Sequence, residues 1–297
     1  MMIKKLVVVF GICLFGASAI SAENLLTNGG FEIKGKGPKD LPGYSRIHPS
    51  RHPFFELDTE VKHSGERSLR IFNVEKTWIA FIPKSIPLSE FNKPLMIRGW
   101  AKYSGLVEKA ADGRRCGMPF IGIWATTQAG RNSTNIPIPI FAEGSKDWFY
   151  FEQLFTPEEF RKRSAHLTGD KAPKNITFRI NVSNQPGTVW FDDLEFFWVE
   201  PKALVATLPL RDVTGNQLRL ELVAGEKVTA GKLAISIDGK VVLASHPVTA
   251  GKSQVVVPLT GIADGKHTLE VRPVEGFPEG TDGVKLEFTR QPDAFAE

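Results

Sequence analysis

The residues equipped for chemistry in this chain are aromatic, cationic and amide side chains. Trp124, Trp100, Arg98, Arg70, Arg179 and Asn181 each fall at the outward position of a stretch that alternates apolar and polar residues. A flat indole packs against apolar ring faces, while guanidinium and amide groups hydrogen-bond hydroxyls or carboxylates. That is the chemistry of recognition. The sequence contains no G-x-S-x-G elbow, H-E-x-x-H, Walker loop or G-x-G-x-x-G. Spacing leaves Glu56, Asp58, Glu75, Glu152 and the Asp192–Asp193 pair open as acid and base, because such partners need not be neighbours in sequence. None has a pocket that the sequence announces, so the chain is expected not to be an enzyme. His48 and His52 have a spacing that suits a metal on a helix, but Pro49 and Pro53 forbid the helix, and zinc is not expected. Cys116 sits in a loop-like RRCGMP without an activating histidine, which argues against a catalytic thiol.

Strands must position these groups. Ser68–Val74, Leu95–Tyr103, Phe120–Thr126, Trp148–Phe155, Ile176–Val182 and Thr188–Val199 all alternate with period two, between Gly, Pro or Asn. Leu69, Ile71, Leu95, Ile97, Ala101, Ile121, Ile123, Ala125, Ile176, Phe178, Ile180 and Val182 take the core side of this alternation. A single helix is signalled at Thr156-Pro157-Glu158-Glu159, with Thr156 as N-cap, Pro157 at the first helical position and Glu159 as return arm of a capping box. Composition changes at Glu200-Pro201. All six Trp and all three Tyr precede it, and beyond it Val, Leu and Thr alternate between Gly turns. There, Lys232–Ile237, Asp238-Gly239 and Lys240–Leu243 spell a hairpin with a type I′ turn. The fold class expected is all-β, with domains at 23–200 and 201–297.

Residues 1–22 read as a signal peptide. Lys4-Lys5 precede an apolar Leu6–Gly16, and cleavage fits after either Ala19 or Ala22. The short Lys-Lys leader has a bacterial character, and the chain is expected to be secreted, periplasmic or extracellular. No second long apolar run is present, so no transmembrane segment is expected. Loss of the leader removes Cys13 and leaves Cys116 without a disulfide partner. The net charge of +4 is too small for a broad basic surface, which lowers the odds of nucleic acid as the main partner.

Asn24–Glu32 (NLLTNGGFE), His63–Ile71 (HSGERSLRI), Gly99-Trp100-Ala101-Lys102 and Gly187–Phe196 (GTVWFDDLEF) follow one another in an order that resembles family 4, 9 and 16 carbohydrate-binding modules. These modules have the galactose-binding-like jelly roll. The resemblance spans residues 24–200 and implies an N-terminal jelly-roll β-sandwich whose first and last strands lie together. The smaller C-terminal segment reads as an immunoglobulin-like or fibronectin-like β-sandwich. The resemblance further implies a structural calcium where the end strands meet the His63–Ser64–Gly65 turn, with Glu32, Gly30, His63, Ser64, Asp192 and Asp193 around it. Carboxylates and backbone carbonyls suit such an ion, and the sequence leaves open which aspartate faces it. For the ligand it implies a polysaccharide or glycan. If the strands carrying Trp124, Arg98, Trp100, Arg179, Asn181 and Arg70 share a sheet, one face combines Trp with Arg and Asn, and several Arg favour acidic or sulfated sugars. The rival functions are adhesion through protein contacts and polysaccharide hydrolysis or lysis. A separate carbohydrate-active enzyme or a cell-surface component is the expected second partner.

Overall fold

A computed structural model describes residues 23–37, 40–47, 54–127, 129 and 132–292. Residues 1–22, expected to be a signal peptide, lie outside the described residues, as do His48 and His52.

The chain is all-β and folds as jelly-roll-type sandwich architecture, with one α-helix among the described residues, at Pro157–Ser164 (α1). The first hydrophobic cluster runs from Leu26 to Phe196. It is enclosed by β1 (Ser45–Ile47), β2 (Phe55–Asp58), β3 (Ser68–Ile82), β4 (Ser85–Pro87), β5 (Leu95–Leu106), β6 (Gly117–Thr126), β7 (Asn132–Ile138), β8 (Gly144–Phe155) and β9 (Asn175–Trp198). All nine are hydrogen-bonded into one sheet that turns back on itself. Two long strands, β3 and β9, run from one layer to the other. The first layer has the order β8, β5, second half of β9, first half of β3, β2. The second has the order β7, β6, first half of β9, second half of β3, β1, with β4 against the start of β9.

Core positions follow the alternation in the sequence: Leu69, Ile71, Leu95, Ile97, Ala101, Ile121, Ile123, Ala125, Ile176, Phe178, Ile180 and Val182 are all buried. Two expectations are corrected. The two expected strands Ile176–Val182 and Thr188–Val199 are one strand that ends at Trp198, although Ser183-Asn184-Gln185-Pro186-Gly187 reads as a loop. The chain bends there at Asn184, whose φ is 51°. Fully buried Gln185 keeps the bend bonded: its amide accepts from Val107 N at 3.1 Å and donates to Val107 O at 3.1 Å. The opening stretch Asn24–Glu32 forms turns and no strand. It still lies along β9, because Asn24 replaces part of the ladder. Its Oδ1 accepts from Phe196 N and Leu26 N, both at 3.0 Å, and its Nδ2 donates to Leu194 O at 3.1 Å.

A second cluster, from Leu204 to Phe288, fills a sandwich of a three-stranded and a five-stranded sheet. Its strands are β10 (Leu204–Thr207), β11 (Asp212–Thr214), β12 (Gln217–Ala224), β13 (Gly231–Ile237), β14 (Lys240–Val248), β15 (Gly251–Pro258), β16 (Gly265–Glu275) and β17 (Val284–Gln291). The β13–β14 turn has φ of 49° at Asp238 and 80° at Gly239, as a type I′ turn requires. At α1 the Thr156 side chain accepts from Glu159 N at 3.1 Å. The Glu159 carboxylate turns away from the cap and meets Lys252 Nζ at 3.3 Å. Across the same junction Lys252 donates to Leu154 O at 2.6 Å, and Gln153 donates to Glu221 at 2.5 Å. Among the described residues no helix is long and apolar enough to cross a membrane.

Candidate functional site

The outward side of the second layer carries the aromatic and cationic groups. Ile121, Ile123 and Ala125 point into the core, so Phe120 and Trp124 point out. By the same alternation β9 turns Thr177, Arg179 and Asn181 outward, and β3 turns out Trp78, Ala80 and Ile82. Trp124 pairs across the ladder with Thr177 on one side and Asn135 on the other, and Phe120 pairs with Asn181. Opposite Arg179 stands Gly122, so no β6 side chain separates the guanidinium from Trp124. Arg179 Cζ lies 3.8 Å from the Trp124 ring centroid, and Phe120 meets the same indole edge-on at 5.3 Å. Trp124 remains partly exposed, and Trp78 is 37% exposed.

Arg179 is the unusual member. It is only 4% exposed, and among the described residues no carboxylate lies within ion-pair distance and Nε has no hydrogen-bond partner. Burial alone pushes its pKa down to about 10. A desolvated cation–π contact is worth about 2 kcal/mol, while burying an ion costs several. The indole alone therefore does not compensate the charge.

Arg98, Trp100 and Arg70 do not join this face. Their strand segments share the nine-stranded sheet but lie in its first layer, where the outward side points the opposite way, so sharing a sheet does not give them a common face with Trp124. Each is also already engaged. Arg98 pairs with Glu195 at 2.7 Å and lies 4.8 Å from the Phe197 ring centroid. Arg70 pairs with Glu56 at 2.6 Å. Trp100 stacks on His63 with centroids 3.8 Å apart and borders a cleft of about 460 Å³ lined also by Tyr150, Arg211, Lys266 and His267. Sequence reasoning missed Trp78 and Phe120. The available signal was the alternation Trp78-Ile79-Ala80-Phe81-Ile82, which continues β3 past Val74.

The six residues associated with calcium do assemble. Asp192 is fully buried, and its Oδ2 accepts from His63 N at 2.9 Å and Ser64 N at 3.2 Å. Asp193 accepts from Ser64 Oγ at 2.8 Å and meets His63 Nδ1 at 2.7 Å. Glu32 Oε1 accepts from Glu66 N at 2.8 Å, and a Cβ on Gly30 would sit 3.7 Å from Asp193 Oδ1. Burial, then the neighbouring Asp193 charge, pushes Asp192 up to about 6 against its backbone hydrogen bonds. Hard oxygen donors are therefore present, but they face N–H and O–H groups. Among the described residues no three His, Cys, Asp or Glu side chains converge on a point that suits a metal.

Of the other candidate acids, Glu75 is exposed, Glu56 is paired with Arg70, and Asp58 and Glu152 are engaged. Asp58 accepts from Trp190 Nε1 at 2.9 Å, and Glu152, 4% exposed, accepts from Leu208 N at 3.0 Å. Cys116 is buried.

No protein-family model and no curated protein matches the chain. Solved structures do show likeness in shape. A family 61 carbohydrate-binding module in complex with β-1,4-galactotriose is 13% identical with a TM-score of 0.35, over 60% of this chain and 100% of that one. A family 16 carbohydrate-binding module is 16% identical with a TM-score of 0.33, over 60% and 100%. A β-1,2-glucanase from Parabacteroides distasonis is 12% identical with a TM-score of 0.29, over 84% of this chain and 36% of its own. Likeness at this level assigns neither family nor ligand to the chain; the side chains must do so.

Proposed function

We propose that the chain is a non-catalytic glycan-binding protein whose ligand lies across the outward side of the β7–β6–β9 layer. The observation that carries this is Trp124: a partly exposed indole with the Arg179 guanidinium over it, Asn135 and Thr177 opposite it in the ladder, and Asn181 further along β9 opposite Phe120. The indole packs on an apolar sugar face, and the amides and hydroxyl bond sugar hydroxyls. An open platform of this kind gives weak single-site binding. The second sandwich serves as spacer or docking partner, and the protein acts outside the cytoplasm beside a separate carbohydrate-active enzyme or surface component. A calcium ion at the Glu32–Asp192–Asp193 junction forms the structural part of the proposal. Glu32, Asp192 and Asp193 line this junction without converging on one point, so an ion would have to replace some of the hydrogen bonds that they now accept. The test is a glycan and polysaccharide array probed with the wild-type protein and Trp124→Ala in calcium. Binding abolished by the substitution, with no sugar released, supports the proposal. Absence of binding by folded wild-type protein, or full binding by the variant, contradicts it.

A further inference from the structure

Arg179 deserves a ligand of its own. Charged side chains buried to this degree are paired or hydrogen-bonded in nearly all folded proteins. Arg179 is neither: it is 4% exposed, its Nε has no partner, and no ion pair or side-chain hydrogen bond to a described residue holds its guanidinium. Its Nη atoms have no hydrogen-bond partner among the described residues either, and they are not fully buried. The cations elsewhere on the first sandwich differ. Arg70 has Glu56 at 2.6 Å, Arg98 has Glu195 at 2.7 Å, and Lys102 has Asp147 at 2.6 Å. Among the described residues of the first sandwich, the buried cation without an ion pair is the one beside the partly exposed Trp124.

The stacking fixes how that cation is presented. With Cζ 3.8 Å from the Trp124 centroid, the guanidinium is held over the indole, and with Nε buried it is the Nη donors that are left for whatever meets the face. A planar fork of donors matches a carboxylate or a sulfate in bidentate geometry, and neutral hydroxyls do not use it fully.

We infer that the Trp124–Arg179 pair recognises an anionic substituent of the glycan, a carboxylate or a sulfate ester, with Arg179 as its counter-ion. This rests on the glycan-binding function proposed above and names its substrate class. The indole packs on the sugar ring that carries the anion, and the guanidinium takes the anion itself. Asn181, two residues along β9 on the same side, is placed for the adjoining hydroxyls.

The purified protein is titrated against polygalacturonate, the same polymer fully methyl-esterified, dextran sulfate and neutral dextran, each at low and at physiological salt. Esterification removes the charge and leaves the sugar rings in place. Wild-type binding of the charged polymer is expected to exceed that of its ester by about tenfold or more, and to weaken as salt rises. Preference for polygalacturonate identifies a carboxylate, and preference for dextran sulfate identifies a sulfate ester. Arg179→Met is expected to abolish the difference between polygalacturonate and its ester, while Arg179→Lys keeps part of it. Should either variant fail to fold, the wild-type comparison still decides. Equal binding of the charged and esterified polymers, with dextran sulfate no better than neutral dextran, overturns the anion assignment and leaves glycan binding standing. Binding to no polysaccharide, on these polymers and on the array, overturns both.

Discussion

Glu152 ties the two sandwiches together, and its removal should uncouple them. It is 4% exposed on β8. Its Oε1 accepts from Leu208 N at 3.0 Å, and its Oε2 accepts from Tyr150 Oη at 2.9 Å and Arg211 Nη2 at 3.2 Å. Glu152→Ala strands a backbone donor, a hydroxyl and a cation together. Losing a partner costs about 1–3 kcal/mol for a buried group, and breaking a buried ion pair about 3–5 kcal/mol. The Arg211 side chain is 36% exposed, so water recovers part of its loss and the lower figures apply. A total of about 3 kcal/mol is expected. The assay uses the uneven distribution of aromatics: all six Trp lie before residue 200, so their fluorescence follows the first sandwich, whereas far-ultraviolet circular dichroism follows both. In urea the wild-type curves should coincide. In Glu152→Ala they should separate, with the dichroism showing two steps. Coincident curves with an unchanged midpoint would refute the idea that this junction couples the two bodies.

Other outcomes follow from single contacts. Trp124→Ala should abolish glycan binding while shifting the thermal midpoint by only a few degrees, because the ring is partly exposed; calorimetry and the array check it together. Gly29→Ala would place a Cβ 1.8 Å from the Leu194 carbonyl oxygen and should cost about 3 kcal/mol in chemical denaturation, since backbone has to move. If calcium fills the Glu32–Asp192–Asp193 junction, adding it should raise the melting temperature and EDTA should reverse the gain, and Asp193→Asn should remove the response. In the second sandwich His267 donates to Asp238, which raises the imidazole pKa, and its Nε2 bonds Ala263 O at 2.8 Å. The same bond lowers the Asp238 pKa. Stability from the histidine is present in acid and lost as pH rises through its raised pKa, and that from the aspartate is lost as pH falls through its lowered one. Melting temperature should therefore peak between the two, and His267→Gln should flatten the alkaline slope.

Alternation alone placed the core, because a residue on a half-buried strand has only two sides. It could not say which of two layers a strand joins. Arg98 and Trp100 point outward as their spacing requires, yet outward from β5 is the opposite direction to outward from β6. That information lies in long-range pairing, where β3 and β9 each serve both layers. Local signals with a steric cause were legible: Thr156 before Pro157, and Asp238-Gly239 at positive φ. The Gln185 bend was not, since Pro and Gly there look the same as in any loop and the buried amide that bonds Val107 is distant in sequence. The junction of Glu32, His63, Ser64, Asp192 and Asp193 was legible as a place, and its bonding was not.

The most direct test of the binding face is the ¹H–¹⁵N spectrum of the six indole N–H groups during titration with an oligogalacturonide. The expected result is a shift of Trp124, accompanied by Trp78, with Trp100, Trp148 and Trp190 unmoved. Shifts confined to Trp100 and Trp148 would place the sugar on the opposite layer and contradict the assignment of the face.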